Sequence, residues 1–130
     1  MGYRLGVDTK DGQHLYYGTK FFGYLDDAQY ELSDSLKYLM STESFKKWDE
    51  DGDTTLDDMA TYFYSDAPID IEVTGTELHN FLYFYSIDLY RMHINPVFTH
   101  PDTFWKCEGL RDCLMYLKQH MDEAYILNWG

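Results

Sequence analysis

The chain has 130 residues, 45% hydrophobic and 18% aromatic, enough for one ordinary core and against a disordered chain. Its 10 Lys and Arg against 23 Asp and Glu leave a formal net charge of −13. That field repels phosphates, so it argues against direct binding of nucleic acid and points to a cation or a basic protein as partner.

The first 25 residues alternate like strands around a turn. Tyr3, Leu5 and Val7 share one face, Asp11-Gly12 supplies a hairpin turn, and Leu15, Tyr17 and Phe21-Phe22 return. Asp26 with Gln29 forms a capping box for a first helix whose stripe is Leu25, Ala28, Leu32, Leu36 and Leu39. Ser41 or Thr42 caps a short second helix carrying Phe45 and Trp48. Thr55 with Asp58 caps a third, with Leu56, Met59, Ala60 and Phe63 on one side. Pro68 ends it, and Ile69, Ile71 and Val73 alternate as a strand.

Thr74-Gly75-Thr76-Glu77 is a second clear capping box, opening a helix with Leu78, Phe81, Leu82, Tyr85 and Leu89 on its core stripe. Tyr83, Phe84, Tyr85 and Tyr90 ring that helix, so either it is buried nearly all round or one side is an interaction face. His93 to Pro101, with two prolines, reads as an irregular loop. Leu110, Cys113, Leu114, Leu117 and Met121 define a last helix, and Ala124 to Trp129 a last strand with Tyr125 and Leu127 on one face. The expected fold is a single α+β domain over residues 1–130. Its small mixed or antiparallel sheet joins the N-terminal hairpin to the C-terminal strand and packs against four to five helices.

Cys107 and Cys113, six residues apart on one helix, are about 9 Å apart, too far for a disulfide. No stretch approaches the ~20 apolar residues of a membrane span, and no apolar leader opens the chain, so the expectation is a cytoplasmic protein without a membrane partner.

Six carboxylates fall within ten positions: Asp49, Glu50, Asp51, Asp53, Asp57 and Asp58. With Asp49 as first position, Asp51, Asp53, Thr55 and Asp57 follow at alternate places, and Leu56 stands at the eighth. Over residues 49–60 this resembles the calcium loop of EF-hand proteins, and the resemblance implies Asp49, Asp51, Asp53, Thr55 and Asp57 as oxygen ligands for Ca²⁺. Two positions depart from the pattern. Thr54 stands where the family has Gly, and Ala60 where it has a bidentate Glu. The expectation is therefore no cofactor, and at most a weak calcium site.

Catalytic signatures are missing: no phosphate-cradling Gly-rich loop with Lys, no GxSxG, no HExxH. The five histidines and two cysteines match no zinc spacing. The expectation is not an enzyme. In size, charge and lack of catalytic motifs the chain resembles small acidic inhibitors carried by phages and other mobile elements, the anti-CRISPR and antirestriction proteins. The resemblance implies a basic nuclease as partner and spaced carboxylates as the recognition device. Asp26, Asp27, Glu31 and Asp34 on the first helix, with Asp49, Glu50, Asp51, Asp53, Asp57 and Asp58, form the expected partner-binding row. The competing expectations are a calcium-dependent binding module and a non-catalytic scaffold.

Overall fold

The computed structural model describes residues 4–19, 34–59, 69–94 and 101–129. The hairpin forms as expected: β1 (Arg4–Thr9) and β2 (His14–Thr19) pair antiparallel around a turn in which Gly12 takes a φ of 95°. Only a residue without Cβ adopts that conformation at no steric cost.

The return strand is irregular opposite Val7 and Asp8. The register shifts between Val7 and Asp8, so Val7 faces Tyr16 while Asp8 faces His14. This bulge adds one residue, Leu15, to β2; Tyr16, opposite Val7, is buried, and Leu15 packs partly buried against the core.

Two short helices follow, α1 (Asp34–Ser41) and α2 (Glu43–Trp48). Leu36 and Leu39 of α1 are buried as expected, whereas the predicted cap at Asp26 and the residues before Asp34 lie outside the described residues. Thr42 is the cap of α2, its hydroxyl accepting the Phe45 N–H at 3.1 Å. Residues 56–59 open α3, with Met59 buried. Ala60 and Phe63 lie outside the described residues.

β3 (Ile69–Thr74) runs directly into α4 (Gly75–Ile94). The predicted capping box is present: the Glu77 N–H reaches the Thr74 hydroxyl at 3.1 Å, and the Thr74 N–H reaches the Glu77 carboxylate at 2.9 Å. Gly75 is required by proximity, because a Cβ there would stand 2.5 Å from the Met121 carbonyl oxygen.

The loop expected from His93 to Pro101 is corrected at both ends, and residues 95–100 lie outside the described residues. α4 continues through Ile94, and α5 (Pro101–Gln119) starts on its proline. Proline suits the first helical position, where its missing N–H would have no helical partner. Met121 falls in the turn after α5, not on its stripe. β4 (Ala124–Trp129) closes the chain.

The sheet is antiparallel throughout, in the order β2-β1-β4-β3. The hairpin and the C-terminal strand share it, and β3 joins beyond β4. Leu5, Val7, Ile69, Ile71, Val73, Tyr125 and Leu127 face one side and are all buried, together with Leu78, Phe81, Leu82 and Tyr85 of α4 and Leu110, Cys113 and Leu117 of α5. Asp70, Glu72 and Thr74 face out to solvent. A slip of one residue in β3 would bring Glu72 into the place of Ile71, losing about 1.5–3 kcal/mol per displaced apolar side chain, so register is strongly specified. The domain is α+β. No helix among the described residues is long and apolar enough to cross a membrane.

The aromatic ring around α4 is divided in use. Tyr85 is fully buried, and Phe84 packs on Tyr38 of α1 with ring centroids 5.4 Å apart. Tyr83 is 53% exposed.

Candidate functional site

The acidic loop hangs from the end of α2. Phe45 anchors that helix in the core, and Trp48 leans half-buried against Phe45 at a centroid distance of 5.5 Å. Asp49 ends the helix, its N–H bonded to the Phe45 carbonyl at 2.8 Å.

From there the loop is held from within. The Gly52 N–H returns to the Asp49 carbonyl at 3.0 Å with a φ of 71° at the glycine. The Asp49 carboxylate accepts the Thr54 hydroxyl at 2.6 Å and the Thr54 N–H at 3.3 Å. Thr55 and Asp58 form the predicted reciprocal cap, at 3.0 and 3.2 Å. Glu50, Asp51, Asp53, Asp57 and Asp58 are exposed and Asp49 is half-buried.

This geometry does not gather the ligands that the calcium-loop resemblance implies. The positive φ belongs to Gly52, the fourth loop position, and no non-glycine residue among the described ones has a positive φ. The Asp49 carboxylate is engaged by Thr54, and Thr55 is turned to cap Asp58. Among the described residues no three His, Cys, Asp or Glu side chains, those of Asp49, Asp51, Asp53 and Asp57 included, stand as a group able to hold a metal ion.

The first-helix half of the expected row divides. Asp26, Asp27 and Glu31 lie outside the described residues. Asp34 is half-buried at the start of α1, its N–H bonded to Asp88 at 3.2 Å.

Beside the loop, Ser44, Lys47 and Trp48 of α2 face Glu72, Val73 and Thr74 of β3 and Ala124 of β4 across an open groove of about 360 Å³. Two carboxylates organise its surroundings. Glu77 accepts the Ser44 N–H at 3.2 Å and also the Ser44 hydroxyl, so one side chain caps α4 and ties down α2. Partial desolvation opposes its ionisation, but the hydrogen bonds from Ser44 and Thr74 outweigh that and hold its pKa below the usual carboxylate value. Glu72 pairs with Lys10 at 2.7 Å; that hydrogen bond and charge lower its pKa, with a further contribution from Lys47.

Three polar arrangements were not anticipated from sequence. On the outer sheet face His14 bonds Asp8, and Asp8 accepts the Asn128 side-chain amide at 2.7 Å. Asn128 lies flat over Gly6, its neighbour across the ladder, where a Cβ would meet the Asn128 oxygen at 2.5 Å. Ser44 is tied to Glu77, as described above. Asp88 is buried in α4 and caps α1. A signal for Asp88 exists in the sequence: it stands three residues after Tyr85 on the core stripe, where a carboxyl is out of place without partners.

Comparison of the chain with protein-family models, with curated proteins and with solved structures finds no match.

Proposed function

We propose that the chain is a non-catalytic binding protein whose acidic surface occupies and blocks a basic, nucleic-acid-handling protein such as a CRISPR or restriction nuclease. One observation supports this reading above others. Glu50, Asp51 and Asp53 are exposed on a loop braced from within, and among the described residues none of them takes part in an ion pair or hydrogen bond through its side chain. A braced loop gives up little conformational freedom on binding, and carboxylates without internal cations project their field outward. A protein that holds phosphates 3.4 Å apart along a DNA strand would meet spaced carboxylates here instead.

The experiment is capture from a nuclease-bearing bacterial lysate at low and at high salt, followed by a DNA-cleavage assay on the captured protein. The expected result is a basic nuclease retained at low salt, released at high salt and inhibited while bound. Reversing Glu50, Asp51 and Asp53 to Lys should slow association most, since exposed charges act chiefly on the encounter rate. A salt-independent complex indifferent to that triple reversal would overturn the reading, as would a captured nuclease that cuts DNA at its full rate.

A further inference from the structure

Among the described residues β3 is a terminal strand, with β4 as its one neighbour in the sheet. In an antiparallel ladder each residue turns its N–H and C=O to the same side, and the next residue turns both to the other. The Thr74 N–H bonds the Glu77 carboxylate rather than β4. The alternation therefore directs the N–H and C=O of Asp70 and Glu72 away from β4. Among the described residues no hydrogen bond is made to these four main-chain groups. Both side chains are exposed. The groove walled by Ser44, Lys47 and Trp48 runs beside Glu72 and Thr74, and the acidic loop begins one residue beyond Trp48.

We infer that the β3 edge takes up an extended, basic segment of a partner protein as a fifth strand, hydrogen-bonded to Asp70 and Glu72, with its cationic side chains over their carboxylates and toward the acidic loop. The inference rests on the proposed binding of a basic partner and adds the place and the backbone mode of recognition. An open edge is a template for any strand, and its charges select which one is admitted. A second copy of this chain brings another −13 and its own Asp70 and Glu72 against the same edge, and like charges facing across a ladder destabilise it. A segment alternating Lys or Arg with small residues meets the opposite sign. Lys10 already occupies Glu72 at 2.7 Å, so the incoming cation competes with it there, whereas Asp70 takes part in no ion pair among the described residues.

The test uses the full chain and an acetylated, amidated (Lys-Thr)₄ peptide as probe, read by amide hydrogen exchange and NMR shifts. With peptide at about ten times its dissociation constant, exchange at the Asp70 and Glu72 N–H groups should slow about tenfold. Lys10→Ala should tighten binding. Asp70→Pro removes the N–H that faces away from β4 together with the carboxylate, at a position where edge strands accept proline, and should abolish binding with the β1–β4 amides unchanged, whereas Asp70→Asn, which loses the charge and keeps the N–H, should only weaken it. Should that variant fail to fold, the Asp70→Lys/Glu72→Lys pair replaces it and should lose the basic peptide while gaining an acidic (Glu-Thr)₄ one. Shifts confined to residues 49–58 would overturn the edge assignment and leave a basic partner for the loop. No binding at either place would overturn both. Undiminished binding by Asp70→Pro, or protection at Asp70 and Glu72 that grows with protein concentration alone, would also overturn the inference, the second by making the occupant another copy.

Discussion

Ser35 donates both its N–H, at 3.2 Å, and its hydroxyl, at 2.6 Å, to the same carboxyl oxygen of Asp88, a residue 53 positions further along the chain. The second oxygen accepts the Asp34 N–H at 3.2 Å. Both Ser35 and Asp88 are buried. A helix opening toward the interior has N–H groups that water cannot reach, and α4 supplies their acceptor.

Asp88→Ala removes the carboxylate that accepts from three donors, two of them on buried Ser35 and one on half-buried Asp34. The expected cost is about 2–3 kcal/mol, the range for losing a helix cap and stranding buried polar groups. Ser35→Ala, which deletes one donor and leaves the two backbone bonds, should cost about 1 kcal/mol. Urea denaturation of the three proteins measures both, and equal losses would show that the carboxyl does not act as the cap.

The two crowded glycines should respond unequally to alanine. At Gly75 the new methyl meets the backbone of Met121, with the oxygen at 2.5 Å and the carbonyl carbon at 2.8 Å, so the turn after α5 must move. At Gly6 it meets the end of the Asn128 side chain, which can rotate away at the loss of its bond to Asp8. Gly75→Ala should therefore be the more destabilising, by about 1–3 kcal/mol overall. Adding Asn128→Ala should recover part of the loss in Gly6→Ala and none in Gly75→Ala, a difference that a double-mutant cycle resolves.

Glu77 makes stability depend on acidity. Its folded pKa lies below the ordinary 4.5, so the folded chain gives up this proton more readily than the unfolded chain. The contribution is complete above 4.5 and is lost as pH falls from there through the lowered value. Thermal melts of the wild type and Glu77→Gln should show a gap that is constant near neutrality and closes on acidification below about pH 4.5. A gap that widens with acid would mean that the carboxylate is not held by Ser44 and Thr74.

Burial pushes the Cys113 thiol up to about 12, which leaves almost no thiolate at neutral pH. In a Cys107→Ser background a thiol reagent at about pH 8 should react with Cys113 only as fast as the chain unfolds. Rapid modification of the folded protein would show that the α5 stripe opens locally.

The acidic loop should bind calcium no more tightly than about 10⁻⁴ M, the weak end of the range for such loops, because its carboxylates form no converging group. Titration calorimetry checks this, and a micromolar site lost in Asp51→Ala would contradict it.

Local rules carried the elements of this fold a long way. Thr74 and Glu77, Thr55 and Asp58, and the Asp11-Gly12 turn were legible because the partners in each stand within a few residues and their bonding depends on little else. Alternation in Ile69-Ile71-Val73 and Tyr125-Leu127 revealed strands and their buried faces because a sheet with one face on a core has a period of two. The sequence also established the charge. Strand order is another matter. That β4 lies between β1 and β3 depends on contacts between residues fifty or more positions apart, which no local pattern encodes. Asp88 capping α1 across 53 positions and Glu77 reaching Ser44 across 33 escape local patterns for the same reason. The bulge beside Tyr16 arises from pairing across the hairpin, and in the acidic loop the Asp49 carboxylate bonds Thr54. Spacing alone determined which oxygens could have converged. Only the folded backbone decided where they point.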